Sequence, residues 1–168
     1  AAPKAAPGRR TLPPLQYVNH PEVTLDYELN KVGPSGIGAI ELWWTQNEGQ
    51  SWELYATDPE VRGAGNGRHQ RTLQLPGDGV YGFRLVVKSK AGLGKAPPRS
   101  GDVPELRVEV DSQAPVGELF PPSPDPQRAG SLLLQWSAKD RNLAPTPVTL
   151  EWSETRSGPW RPIAAHLG

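Results

Sequence analysis

The fold class follows from the stretch AIELWWTQNEGQSWELYA, residues 39–56, in which two apolar segments flank a short polar one. The apolar segments contain aromatic and β-branched residues that favour strands, and Asn-Glu-Gly between them has the composition of a tight turn. Successive side chains of a strand point to opposite faces, so at most one of the neighbours Trp43 and Trp44 can enter a core. The stretch therefore predicts a β-hairpin.

Other segments show the same alternation of apolar and polar residues. The chain has 20 prolines and 18 glycines, and hydrophobic residues make up 36% of it, which favours short strands separated by turns over helices. No segment has a convincing helical period. Further strands are predicted at residues 22–29, 71–75, 81–87, 105–110, 131–138, 147–154 and 159–165, with a polar loop at 57–70.

The turn at the centre of the hairpin resembles the Asp-box turn of sialidase-type propellers, with Thr45-x-Asn47-x-Gly49-x-Ser51-Trp52 as the matching residues. In an Asp-box the side chain at the Asp position caps backbone amides and the tryptophan packs beneath it, so the motif is structural. A propeller needs at least four blades of roughly 40 to 50 residues, which a chain of 168 residues that includes a linker cannot supply. We therefore expect a hairpin turn of a sandwich, not part of a glycosidase.

Aromatic residues recur with one spacing in the two halves of the chain. Tyr27, Trp44 and Trp52 are separated by 17 and 8 residues, and Trp136, Trp152 and Trp160 by 16 and 8. This spacing predicts an internal repeat whose second copy contains only the first few strands. A tryptophan on a central strand normally packs in the core, so Trp44, Trp136 and Trp152 are predicted to be core residues.

The chain resembles tandem bacterial immunoglobulin-like or fibronectin type III-like modules of large surface or secreted proteins. Besides the aromatic spacing, the resemblance depends on Gly79-x-Tyr81-x-Phe83, similar to a tyrosine corner whose phenol bonds back to the preceding turn, and on the linker-like Val110-Asp-x-x-Ala-Pro115. It implies an all-β fold with two tandem immunoglobulin-like β-sandwich modules, the second incomplete. We expect a Pro/Ala-rich linker at 1–16, one module at 17–112 and the beginning of another at 113–168.

The resemblance implies a non-enzymatic structural, spacer or adhesion role in a large extracytoplasmic protein: secreted, periplasmic or at the cell surface. The expected partners are other domains of the same polypeptide, and a protein or polysaccharide at the cell surface. Unpaired strand edges in the incomplete module also predict self-association. The alternative is a carbohydrate-binding accessory module of a secreted hydrolase, with Trp43, Trp52 and Tyr55 as an aromatic stacking platform.

Composition and motifs argue against several other functions. Basic and acidic residues number 18 each, so no net charge attracts nucleic acid or an anionic membrane. The chain contains no cysteine, and no apolar run reaches the roughly 18 residues of a membrane-spanning helix. Its three histidines, His20, His69 and His166, have no partner at metal-binding spacing. We therefore expect no nucleic-acid partner, membrane insertion, metal, cofactor or catalytic residue in this segment.

Overall fold

Strands form all the regular secondary structure of residues 11–30, 34, 36–58 and 66–168, the part of the chain that the computed structural model describes. The chain divides into two units, Ala1–Ser112 and Gln113–Gly168. The first contains β1 (Leu15–Val18), β2 (Glu22–Leu29), β3 (Ile37–Thr45), β4 (Glu53–Asp58), β5 (Gly67–Gln74), β6 (Gly79–Ser89) and β7 (Leu106–Val110). The second contains β8 (Val116–Leu119), β9 (Ser123–Pro124), β10 (Leu132–Leu133), β11 (Trp136–Lys139), β12 (Val148–Trp152) and β13 (Arg161–Leu167). The predicted all-β class is confirmed.

Two sheets make up the first unit. One has five strands in the order β1-β7-β6-β3-β4, and the other pairs β2 with β5. All neighbours are antiparallel except β1 and β7, which run parallel with Leu15 opposite Arg107 and Val18 opposite Val110. A 2.9 Å hydrogen bond from the Asp111 N–H to the Val18 carbonyl extends this pairing. The first strand of the unit is therefore attached to its last.

The two sheets share a hydrophobic core. On β2 alternate residues are buried and most of their neighbours are exposed, which is the pattern of a sheet with one covered face, whereas β6 and β7 each contain three consecutive buried residues, 81–83 and 108–110. Each fully buried large apolar side chain stabilises the unit by roughly 1.5–3 kcal/mol. The main cluster comprises Val23, Leu25, Leu42, Leu73, Leu75, Tyr81, Phe83, Val108 and Val110, and a smaller one comprises Leu29, Ile37 and Ile40. This arrangement is consistent with the predicted β-sandwich.

The structure differs from the sequence-based strand assignments at two places in the first unit. Leu15, assigned to the linker, begins β1; residues 1–10 of that linker lie outside the described part. β5 begins at Gly67, so the end of the predicted loop is a strand in which His69 stacks on Tyr27 with ring centroids 5.6 Å apart. β1, with the sequence LQYV, pairs with β7, and the polar beginning of β5 pairs with β2 although its composition favours a loop.

The second unit consists of three strand pairs: β8 with β11, β9 with β10, and β12 with β13. No residue from Gln113 to Gly168 is buried. Trp152 is 43% exposed and Trp136 is half-buried, so the prediction that they are core residues is wrong. The reason is that these pairs enclose no core. The strand predicted at 131–138 is interrupted between β10 and β11.

Candidate functional site at the β3–β4 turn

The turn between β3 and β4 is fixed by the side chains of its own residues. The buried Thr45 hydroxyl accepts hydrogen bonds from the N–H groups of Asn47 (3.3 Å) and Gly49 (2.9 Å), and donates one to Asn47 Oδ1 (2.9 Å). Asn47 Oδ1 also accepts from the Ser51 N–H at 2.9 Å, and Asn47 Nδ2 donates to Ser51 Oγ at 2.8 Å. Asn47 thus caps the turn, as the Asp-box pattern predicts for this position.

Gly49 brings the turn against the connection between β6 and β7. Its φ of 93° lies in the left-handed region, and a Cβ at this position would overlap the carbonyl oxygen of Asp102. The Gly101 N–H donates to the Gly49 carbonyl at 2.8 Å. Asp102 also pairs with Arg84 of β6 at 3.1 Å. These contacts hold the turn in place from outside as well as from within.

Trp44, the inward-facing tryptophan of β3, forms a fixed aromatic wall beside the turn. Its ring stacks on Tyr81, with centroids 5.8 Å apart and planes 1° apart, and meets Tyr55 edge-on at 5.5 Å. The Tyr81 hydroxyl donates to the Gly77 carbonyl at 2.9 Å, which is the bond predicted for the tyrosine-corner segment. Burial raises the pKa of Tyr81 above its ordinary value of 10.0. The ring of Trp44 is therefore held by two tyrosines.

The residues predicted as a stacking platform lie at separate places. Trp43 is on the outer face of the larger sheet, opposite Arg84, where it is half-buried and donates from Nε1 to Glu41 Oε2 at 3.1 Å. Trp52 lies at the end of the turn, and its Nε1 is buried with no hydrogen-bond partner among the described residues. The described rings include no contact between Trp43, Trp52 and Tyr55.

Tyr55 connects the two sheets. It lies on β4, at the edge of the five-stranded sheet, and its hydroxyl accepts from the Gln74 N–H (2.9 Å) and donates to the Gln74 carbonyl (3.0 Å) of β5. Arg71 of β5 also pairs with Asp58 of β4 at 3.1 Å. Because β4 and β5 belong to different sheets, these contacts close the edge at which the sheets would otherwise separate.

A polar pocket of about 250 Å³ lies beside the turn. Its single aromatic side chain is that of Trp44, and its other groups are two amides, two hydroxyls and a carboxylate. The pocket thus combines the edge of an apolar ring with hydrogen-bond donors and acceptors. The lining residues are Trp44, Thr45, Gln46, Asn47, Ser51 and Glu53.

The hairpin of β12 and β13 in the second unit has the same register. Trp44 pairs with Glu53 in the first hairpin and Trp152 pairs with Arg161 in the second, so each connection has eight residues. A pocket of about 80 Å³ lies at the equivalent position of the second hairpin. It is lined by Trp152, Ser153, Glu154, Thr155, Gly158, Pro159 and Arg161.

The two turns also begin with the same local hydrogen bond. The Asn47 N–H bonds to the hydroxyl of Thr45 at 3.3 Å, and the Thr155 N–H bonds to that of Ser153 at 3.3 Å. The turns differ after this hydrogen bond. Asn47 uses its side-chain amide to accept from the Ser51 N–H, and Thr155, at the corresponding position of the second turn, has no side-chain amide. The second turn therefore keeps the length and the first contact of the first turn without its amide cap.

Gln46 and Glu53 of the larger pocket are not among the residues selected from the sequence. Isolated polar residues near a turn give no functional signal. The available signal was the turn length, which places Glu53 opposite Trp44. Pairing Glu53 with Trp44 requires the exact number of residues in the turn, and the pattern of apolar residues gives that number only approximately.

The electrostatics of the outer face are separate from the pocket. The hydrogen bond from Lys88 holds the pKa of Glu41 below its ordinary value of 4.5; burial acts against this shift and the Trp43 indole adds to it. Within the described ranges, no group of three or more His, Asp or Glu side chains could hold a metal ion. No helix of that part of the chain is long and apolar enough to cross a bilayer.

Comparison with known proteins gives no relative. No protein-family model, no curated protein and no solved structure matches this chain.

Proposed function

We propose that the chain is a non-enzymatic structural, spacer or adhesion segment of a large extracytoplasmic protein, built from two tandem immunoglobulin-like modules, the second incomplete. The observation that carries the proposal is the strand order β1-β7-β6-β3-β4 facing β2-β5. An immunoglobulin-like sandwich likewise separates its second and fifth strands from its third, sixth and seventh. The bond from Tyr81 to Gly77 at the start of the sixth strand supports the same assignment.

The two hairpins support the tandem arrangement. Their registers agree next to the turns, which supports β12 and β13 as counterparts of β3 and β4, and β11 precedes them as β2 does in the first unit. The second unit has no counterparts of β5, β6 and β7 between Gln113 and Gly168. In the first unit these strands supply Leu73, Phe83 and Val108 to the core. Their absence accounts for the lack of buried residues in the second.

The exposed apolar residues of the second unit favour association. Trp152, Trp160 and Ile163 are 43%, 56% and 52% exposed on or beside one hairpin, which is more apolar surface than a single scattered residue presents. We expect another domain of the same polypeptide to cover this surface, or a second copy of the chain when that domain is missing. The role itself is assigned by analogy with modules of this strand order.

Two assays of the whole purified chain test the proposed role. The first measures turnover of chromogenic esters, phosphates and glycosides, and we expect none above that of heat-denatured chain. The second measures surface plasmon resonance against matrix proteins and cell-wall polysaccharides: binding would assign adhesion, and no binding would assign spacing. Turnover that a folded chain retains through successive purification steps would contradict the non-enzymatic role.

Localisation is tested separately. Antibody against the chain should label intact source cells, or detect the protein in the medium or in the fraction released by osmotic shock. Detection only after the inner membrane is lysed would contradict the extracytoplasmic assignment.

A further inference from the structure

We propose that the pocket beside the β3–β4 turn is a binding site for a neutral polyhydroxylated ligand, a sugar unit of a glycan, hydrogen-bonded by the Gln46 amide and the Glu53 carboxylate beside the edge of the Trp44 ring. The site differs from the aromatic platform predicted from the sequence. It goes beyond the structural role proposed above and does not depend on it.

The lining groups match the chemistry of a pyranose. Such a ring has a C–H surface that packs on an aromatic side chain, and hydroxyls at its edge that both donate and accept hydrogen bonds. The pocket is mostly polar: the Gln46 amide offers a donor and an acceptor, the Glu53 carboxylate can accept from two hydroxyls, and Trp44 contributes only a ring edge for the C–H groups to contact. No basic side chain lines the pocket, and Glu53 repels anions, so a neutral sugar is favoured over an acidic one.

The pocket is organised before any ligand enters. Thr45 and Asn47 fix the turn through five hydrogen bonds, and Trp44 is held between Tyr81 and Tyr55. Little ordering is then required on binding, so weak contacts give measurable affinity. A volume of about 250 Å³ lies just below the roughly 300 Å³ at which pockets for drug-sized ligands begin, and it suits one small ring.

The second hairpin provides a comparison within the same molecule. Its pocket lies at the equivalent position, but Arg161 replaces Glu53 and extends over Trp152, with the guanidinium carbon 5.8 Å from the ring centroid. The second pocket thus has a cation at the position of the hydroxyl-accepting Glu53 carboxylate, and the cavity is only about 80 Å³. We therefore expect binding at the first hairpin and none at the second.

The test is a titration of the isotopically labelled whole chain with glucose, galactose, N-acetylglucosamine and their soluble oligomers. The tryptophan indole and glutamine amide signals are followed by NMR, with the Trp44 signal assigned by Trp44→Phe. We expect at least one of these sugars to shift the signals of Trp44 and Gln46 in a saturable manner, with dissociation constants of about a millimolar. The indole signals of Trp43 and Trp152 should stay in place.

Glu53→Ala and Glu154→Ala form a matched pair, because each removes an exposed carboxylate from one of the two pockets. Glu53→Ala should weaken binding about tenfold or more, and Glu154→Ala should leave it unchanged. Unchanged backbone amide spectra establish that both variants fold. Three results would each overturn the proposal: no shift of the Trp44 and Gln46 signals with any of these sugars, equal affinity of Glu53→Ala and the native chain, or shifts confined to Trp43.

Discussion

Two features of the backbone require glycine at position 49: a positive φ and the close approach of the Asp102 carbonyl. Gly49→Ala should lower the free energy of unfolding by about 3 kcal/mol or more, because a positive φ and overlap with the Asp102 carbonyl both oppose a side chain. Gly101→Ala is the control, since its φ is 86° and no atom lies within 4 Å of the added carbon. We expect a loss of about 1 kcal/mol there. Urea unfolding followed by tryptophan fluorescence measures both; equal losses would mean that the Asp102 contact is unimportant.

The side chain of Asn47 makes three of the hydrogen bonds that hold the β3–β4 turn. Asn47→Ala should destabilise the first unit by about 1–2 kcal/mol, because the Ser51 N–H and the Thr45 hydroxyl lose their acceptor. Asn47→Asp keeps an oxygen that can accept from both the Thr45 hydroxyl and the Ser51 N–H and loses only the donor to Ser51, so we expect less than about half that change. Chemical denaturation compares the three proteins. If the two variants lose equal stability, the oxygen is not the group that caps the turn.

Glu41 makes the stability of the first unit depend on pH in the acidic range. Its folded-state pKa is depressed, so its contribution is present above its ordinary value of 4.5 and is lost as the pH falls through the folded value. Glu41→Gln should therefore be less stable than the native chain near neutral pH, with a difference that shrinks as the pH falls below 4.5. Denaturation midpoints across this range test it. A difference that is the same at all pH values would exclude the Lys88 pairing as its source.

At the scale of the elements, the edge between β4 and β5 depends on one phenol. Tyr55→Phe should cost about 1–3 kcal/mol and speed hydrogen exchange of the Gln74 amide, because both backbone groups of Gln74 lose their partner. Tyr17→Phe is the matched control, since that side chain is 61% exposed on β1. It should change stability by no more than about 0.5 kcal/mol. Unchanged exchange at Gln74 in Tyr55→Phe would contradict the sheet-closing role.

The elements that the sequence predicts are those in which apolar residues recur at every second position. Val23, Leu25 and Leu29 identify β2 and its core face. The same apolar spacing identifies β6 and β7, although Gly82 and Glu109 between the apolar residues are buried as well. Alternation also separates Trp43 from Trp44 correctly. The beginning of β5 has a polar sequence and becomes a strand because β2 offers it backbone partners. β1 has only four residues, LQYV, directly after a segment rich in proline and alanine, and it pairs with β7.

The site was less predictable than the strands because it depends on register. A shift in the pairing of β3 with β4 lies between Leu42 and Trp43, and Tyr55 is the extra residue on β4. It points to Trp44 and Gln74, away from Trp43. A local irregularity of this kind leaves no mark in the apolar pattern. The pocket at Glu53 depends on the same pairing.

At the scale of the whole molecule, the backbone amides of the two units should differ in their protection from hydrogen exchange. Amides of β12 and β13 should exchange at least about a hundredfold faster than those of β3 and β6, because strands without a buried core open at little free-energy cost. Hydrogen exchange in dilute solution measures this, and sedimentation at increasing concentration detects association through the exposed tryptophans. A monomer whose two units are equally protected would contradict the prediction.

The parallel pairing of β1 with β7 has a mechanical consequence. The chain enters β1 at Leu15 and leaves β7 at Val110, and the two strands run in the same direction side by side. Tension applied to the chain on both sides of the first unit would pull these strands in opposite directions along their length. The hydrogen bonds between them would then be stretched together, in shear, and would not open one after another. The unit is thus built to resist extension along the chain.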